Sequence, residues 1–198
     1  MHPSLNFTAR SISSMDREIY WLSIVSRLIK YKVRAMVATN LIPHYTPSRY
    51  SNIAKMQGLN CKRGKINCAN VVSACNRNPD AAIHYAILNK LFKRGQTAKI
   101  IPVENYLNSY QIYLEIFELT VDTAPVTFDE FWTMRVEVSN DQLAEIECNA
   151  CHSVYLRATE FKMHIPCPFC GVKHGTKQVK PLFSALTAQH SLPLKLAS

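Results

Sequence analysis

Four cysteines constrain this chain more than anything else in it. They stand as Cys148-Asn-Ala-Cys151 and Cys167-Pro-Phe-Cys170, with fifteen residues between the pairs. Two cysteines separated by two residues can aim both sulfurs at one point from a tight turn, and two such turns complete a tetrahedron around a zinc ion. A site filled by four thiolates has no open position for water. It is a structural site, whose binding free energy is largely folding free energy, about 10–16 kcal/mol in zinc-finger peptides. The spacing therefore predicts one structural Zn2+ per chain, held by Cys148, Cys151, Cys167 and Cys170.

Other readings of the same residues are less well supported. Cys-Pro-Phe-Cys also resembles a glutaredoxin redox motif, which needs a helix directly after it to stabilise the thiolate. The next segment in this chain is Gly171-Val-Lys-His-Gly-Thr-Lys177, with two glycines and no apolar face. His152, His164 and His174 lie nearby, but with four cysteines present they read as surface residues; His174, between Lys173 and Lys177, suits a phosphate contact. Cys61, Cys68 and Cys75 recur every seven residues. Three cysteines make a poor closed site, and these read as buried or incidental thiols.

Charge is segregated along the chain. Residues 1–100 carry 16 Lys/Arg against 3 Asp/Glu, residues 101–147 carry 1 against 10, and residues 148–198 carry 6 against 1. Two basic lobes thus flank an acidic middle, and basic lobes commonly meet phosphate backbones, releasing counterions. The first residues lack a long apolar run, and the most apolar early stretch, Tyr20 to Ile29, is interrupted by Arg27 and flanked by Lys30 and Lys32. Neither a secretory signal nor a membrane span is expected. Seven cysteines without such a signal point to a reducing cytoplasm.

The pattern is mainly helical. Residues 1–14 read as a flexible N-terminus, 15–140 as a helical DNA-binding and subunit-interface domain, 141–180 as a four-cysteine zinc-ribbon-like module, and 181–198 as a C-terminal tail. Apolar spacing predicts a helix from Met15 to about Val37. Pro43 and Pro47 bound a short connecting element. A second helix runs from Pro47 to about Met56, with Thr46 as N-cap and Gly58 as the stop. This order resembles a helix-turn-helix and places Ser48, Arg49, Ser51 and Asn52 where base edges are met. Residues 59–78 read as an irregular loop whose Lys62, Arg63 and Lys65 suit phosphate contacts. Asn78, Pro79 and Gly95 punctuate a helix whose buried face is Ile83, Ile87, Leu88, Leu91 and Phe92. Another starts near Pro102 with a tyrosine stripe suited to core or subunit interface. Thr127-Phe-Asp-Glu130 is a capping box. Val154-Tyr-Leu156 and Phe161–Ile165 read as two short strands between the cysteine pairs. The candidate DNA contacts are Arg34, Ser48, Arg49, Asn52, Lys55, Lys62, Arg63, Lys65 and Lys173.

Enzymatic motifs are missing. There is no phosphate loop, no G-x-G-x-x-G, no H-E-x-x-H and no G-x-S-x-G. The deaminase signature has its second half in Pro166-Cys167-Pro-Phe-Cys170 but lacks H-x-E. The carboxylates read as solvated helix faces, and no residue set nominates an enzyme.

The order of features resembles the FlhC family, the larger subunit of the flagellar master activator, with its relatives that activate conjugative transfer. The resemblance runs from about residue 16 to 175. It is carried by Arg17-Glu-Ile before a long apolar helix, Thr46 to Lys55, His84-Tyr-Ala-Ile-Leu-Asn-Lys-Leu-Phe92, Tyr106 to Ile116, Trp132-Thr-Met-Arg-Val136, and then the cysteine pairs. It implies four zinc cysteines at 148, 151, 167 and 170, a small helical FlhD-like partner in a heterohexamer, double-stranded promoter DNA as ligand, and activation of RNA polymerase. The chain departs from flagellar members after the second helix. Their proline-rich stretch ending Gly-Met-Leu-Pro is replaced by Leu59-Asn-Cys-Lys-Arg-Gly-Lys-Ile66, which inclines the expectation toward conjugative-transfer genes.

Overall fold

The computed structural model describes residues 14–42, 44–59, 64, 66–96, 102–160 and 166–170. Among these residues, seven helices and one hairpin succeed one another: α1 Ser14–Lys30, α2 Ala35–Leu41, α3 Pro47–Met56, α4 Cys68–Arg77, α5 Pro79–Gly95, α6 Pro102–Ile116, α7 Phe128–Ser139, β1 Leu143–Glu147 and β2 Val154–Ala158. The fold is mainly helical, as the pattern predicts, with the cysteines gathered at its C-terminal end.

The helix expected through Val37 ends seven residues earlier, at Lys30. Lys32 adopts a left-handed conformation, φ 57°. Its N–H donates to the Ile29 carbonyl at 2.9 Å, and the Val33 N–H donates to the Leu28 carbonyl at 3.1 Å. These two bonds make the Schellman closure that glycine usually provides. Distant residues stabilise the break. The Tyr50 hydroxyl of α3 donates to the Val33 carbonyl at 3.1 Å, and the Asp129 carboxylate of α7 accepts the Arg34 N–H at 3.0 Å. Asp129 and Glu137 are buried, so not all carboxylates are solvated as the sequence pattern implies.

Local punctuation is accurate elsewhere. Thr46 caps α3 by accepting the Arg49 N–H at 3.2 Å, and Gly58, at φ +72°, closes the helix with the Leu59 N–H on the Ala54 carbonyl. Asn78 ends α4 and also caps α5, accepting the Ala81 N–H at 3.2 Å. At Gly95 a side chain has no room: an added Cβ would lie 2.2 Å from Asn105 Oδ1. Asn105 instead donates to the Phe92 carbonyl at 2.9 Å, satisfying an end of α5 that lacks an intrahelical partner.

Residues 68–77, expected as loop, form α4. Asn67 caps it, and Val71 and Cys75, one turn apart, are buried. With no large apolar residue beyond two valines, the segment lacks an obvious stripe; its helix is stabilised by packing against α5, α7 and β2. The tyrosine stripe of α6 belongs to the core. Tyr110 and Tyr113 are fully buried among Tyr31, Phe128, Phe131 and Phe117, and the Tyr110 hydroxyl donates to the Val126 carbonyl at 3.0 Å. α5 buries Tyr85 and Asn89 in addition to the expected aliphatics, while Ile83 and Leu91 are only half-buried.

The strand expected at Val154–Leu156 is β2, which runs on to Ala158, but its partner is not the expected one. β1 precedes the first cysteine pair and β2 comes after it, antiparallel, with Leu143 opposite Ala158 and Glu147 opposite Val154. Phe161–Ile165 lies outside the described residues. Leu143, Leu156 and Ala158 join the same apolar core as the helices. The hairpin is seated on α4, α5 and α7.

Candidate metal centre and the exposed face of α3

The first cysteine pair is the turn of the hairpin. The Cys148 N–H donates to the Ser153 carbonyl at 3.0 Å, and the His152 N–H returns to the Cys148 carbonyl at 2.8 Å. His152 makes this reversal in a left-handed conformation, φ 57°. It is solvent-exposed, with Nδ1 3.1 Å from Glu147 Oε1, as its surface assignment expects. The second pair meets the first across the module. Cys148 and Cys170 sulfurs are 3.6 Å apart, Cys151 and Cys167 sulfurs 3.7 Å, and all four lie within 4.8 Å of one another.

These separations match a tetrahedral ion site. Metal–sulfur bonds of about 2.3 Å, the length zinc takes, put tetrahedral sulfurs about 3.8 Å apart. The cysteines are unbonded to each other, and each is half-buried. The four sulfurs can therefore hold one metal ion and leave no protein-side position open. The turn also favours thiolates at the first pair. Backbone N–H groups of Cys151 and Ala150 lower the Cys148 thiol below its ordinary range. Burial works to raise Cys151, but hydrogen bonds from Ser153 together with those from the Cys170 and Cys148 thiols outweigh it and bring that thiol down to about 6. Cys167 is raised by burial, and Cys170 by sharing protons with the Cys151 and Cys148 sulfurs. Four adjacent anions repel one another, so full deprotonation calls for a cation at their centre.

Apolar contacts seat this cluster. Tyr155, Phe169 and Ala86 form a small buried group against which Ile83, Ile146, Cys148, Cys151 and Cys167 pack. Beside it runs a polar tie that sequence reasoning missed. The buried Asn89 amide donates to Glu145 of β1 at 2.7 Å and accepts from Arg135 of α7. Lys93 donates to both Glu145 oxygens, at 3.0 and 2.8 Å, and Arg135 lies 4.6 Å over the Phe92 ring. Burial alone would raise the Glu145 carboxyl, but the Lys93 and Asn89 hydrogen bonds hold it below the usual carboxylate range. An asparagine inside a helical pattern gives no local sign of such a role.

Cys75 is buried in α4, its thiol pushed up to about 12 by burial, whereas Cys68 is exposed. Neither joins the four-cysteine group. Cys61 lies outside the described residues.

The expected DNA-contacting residues separate into three sets. Ser48, Arg49, Asn52 and Lys55 are exposed along one face of α3, opposite the buried Tyr50 and Ala54, and Ser51 is half-buried. Arg34 is engaged inside the fold, with Nε 3.2 Å from Asp129 Oδ2 and NH1 donating to the Gly64 carbonyl at 3.2 Å. Lys62, Arg63, Lys65 and Lys173 lie outside the described residues, as do His164 and His174. α3 runs beside α1 in the same direction, joined by Arg49 to Glu18 at 2.9 Å and Gln57 to Ser26 at 3.1 Å. No helix among the described residues is long and apolar enough to cross a membrane. No family model matches the chain, and no curated protein matches it significantly.

Proposed function

We propose that this chain is a sequence-specific DNA-binding subunit of a transcriptional activator, acting in the cytoplasm with an FlhD-like small helical partner. The observation that carries the reading is the face of α3. Its exposed residues Ser48, Arg49, Asn52 and Lys55 are of the types that read base edges and phosphates, and they lie in the basic first half of the chain. The succession of α1, a short α2 and α3, with five residues between α2 and α3, fits a helix-turn-helix whose last helix enters the major groove.

The ion at the four cysteines is zinc, in a structural role. It fixes the Cys148–Cys151 turn against Cys167–Cys170 and so completes a second basic lobe. The α6 tyrosines are used within the chain's own core, so a partner helix would cover another surface. Met15, Ile19 and Leu22 offer one, exposed at four- and three-residue spacing along α1. The FlhC resemblance points to promoters of conjugative-transfer genes ahead of flagellar ones, with RNA polymerase as the recipient of the bound complex. The competing class is a zinc-ribbon module that binds protein or RNA without reading DNA sequence.

The test is to incubate the full chain, with and without its co-expressed neighbouring small subunit, with fragmented host DNA and to sequence what is retained. Enrichment of a shared imperfect palindrome upstream of transfer or flagellar genes is expected. Retention that is steeply salt-dependent but sequence-blind in both preparations would leave the zinc-ribbon interaction module as the better reading.

A further inference from the structure

The chain writes one helix-start motif twice, with a difference at its third helical residue. At α7, Thr127 accepts the Glu130 N–H at 3.3 Å while Glu130 returns to the Thr127 N–H at 2.8 Å, closing a full capping box. At α3 the same frame reads Thr46-Pro-Ser-Arg49. Thr46 accepts the Arg49 N–H, but the third helical residue is now a cation and returns nothing to the cap. A positive side chain in the first turn also opposes the helix dipole. Local stability therefore disfavours arginine at this position. A residue that breaks a local rule without local benefit marks a functional position.

A carboxylate is supplied from elsewhere. Glu18, one of only three acidic residues among the first hundred, accepts from Arg49 NH2 at 2.9 Å across the α1–α3 contact. The Arg49 guanidinium carbon also lies 4.5 Å over the ring of the buried Tyr45. One edge and one face of the guanidinium are thus fixed, while its side chain remains about half exposed, at 49 %. Both carboxylate and guanidinium are solvated, so the pair contributes little as a stabilising contact. Holding an arginine fork in one orientation has a larger effect on recognition, because guanine O6 and N7 are read by two parallel N–H donors.

Building on the DNA-binding reading of α3, we infer that Glu18 and Tyr45 are positioning residues that present Arg49 to a guanine edge in the major groove. Arg49 is the reading residue. Glu18 contacts no base; it restricts the rotamers of Arg49 before DNA arrives, and it places a negative charge where simple phosphate attraction would favour none.

The full chain, co-expressed with its neighbouring small subunit and carrying either wild-type sequence, Glu18→Gln, Arg49→Lys or Arg49→Ala, is put through selection from a randomised duplex pool and sequenced. The wild type is expected to enrich guanine at one position of its site. Arg49→Ala abolishes that preference, and Arg49→Lys, lacking the fork, fails to restore it. Glu18→Gln keeps the same guanine but weakens the preference about 2- to 10-fold, the effect of freeing one side chain. Its thermal midpoint and its affinity for unselected DNA do not fall. If Glu18→Gln keeps the full preference that Arg49→Ala loses, Glu18 is only a surface ion pair and the inference fails. It fails equally if Glu18→Gln binds the selected site more tightly, since Glu18 then competes with DNA. Enrichment by the wild type that is unchanged in all three variants removes Arg49 and Glu18 from recognition but leaves the DNA-binding reading standing. No enrichment by the wild type removes both.

Discussion

The helical core and the cysteine turn are held together by different physics, although one hairpin belongs to both. The core is aromatic: Tyr110, Tyr113, Phe128 and Phe131 are essentially fully buried, and their contacts draw on helices distant in sequence. Among the described residues, few buried apolar side chains belong to the cysteine end. Tyr155, Phe169 and Ala86 are its buried members, and its geometry depends on four sulfurs that repel one another once deprotonated. β1 and β2 carry Leu143, Leu156 and Ala158 into the first region and Ile146 and Tyr155 into the second. The four-cysteine turn thus shares both of its strands with the helical core.

The largest expected effect comes from the metal. Chelation, or Cys148→Ser, removes binding free energy of the order of 10 kcal/mol, as in zinc-finger peptides. Hydrogen exchange should then open the Cys148–Cys151 turn and the Cys167–Cys170 segment, while α5, α6 and α7 stay protected. Uniform loss of protection throughout the chain would show that the two regions are one cooperative unit. Mass spectrometry of the native protein should find one zinc per chain, absent from Cys148→Ser.

Phe131→Ala should cost about 3–5 kcal/mol in denaturant unfolding, because it opens a cavity at the centre of the aromatic cluster. Its metal content at saturating zinc should remain at one per chain. Loss of metal binding in this variant would erase the distinction between the regions.

Asn89→Ala tests the tie between them. It leaves Arg135 without its amide acceptor and Glu145 without one donor, for an expected loss of about 1–3 kcal/mol. Exchange should quicken in β1 ahead of α6, and an equal change in both would deny the tie a local role.

The smallest effect is one of pH. Burial lowers the His84 pKa below its ordinary 6.5, against the opposing pull of Asp80. Tyr113 is kept protonated by burial, and its hydroxyl lies within hydrogen-bond distance of His84 Nδ1, at 3.1 Å. A folded pKa below the unfolded one contributes stability that is fully present above pH 6.5 and is lost as pH falls through the folded value. The thermal midpoint should therefore drop on going below pH 6.5, and a His84→Gln variant should show a flatter profile across that window. An identical slope in both proteins would place the titrating group elsewhere.

Much of this molecule is dictated by local chemistry. The caps at Thr46, Asn78 and Thr127 and the stop at Gly58 act within a few residues, so their positions are readable in the chain itself. The cysteine spacing is equally local within each pair, and the residue types dictate the geometry of the cluster. Tertiary structure alone decided the rest. α1 stops at Lys30 because Tyr50 and Asp129 secure a break that no glycine or proline announces. α4 forms because its neighbours bury Val71 and Cys75, although its own apolar stripe is short. Arg34 faces Asp129, and Arg49 faces Glu18, across distances in sequence that no spacing rule spans. Short-range hydrogen bonds can be read from neighbours in the chain, whereas burial and ion pairing depend on which surfaces meet.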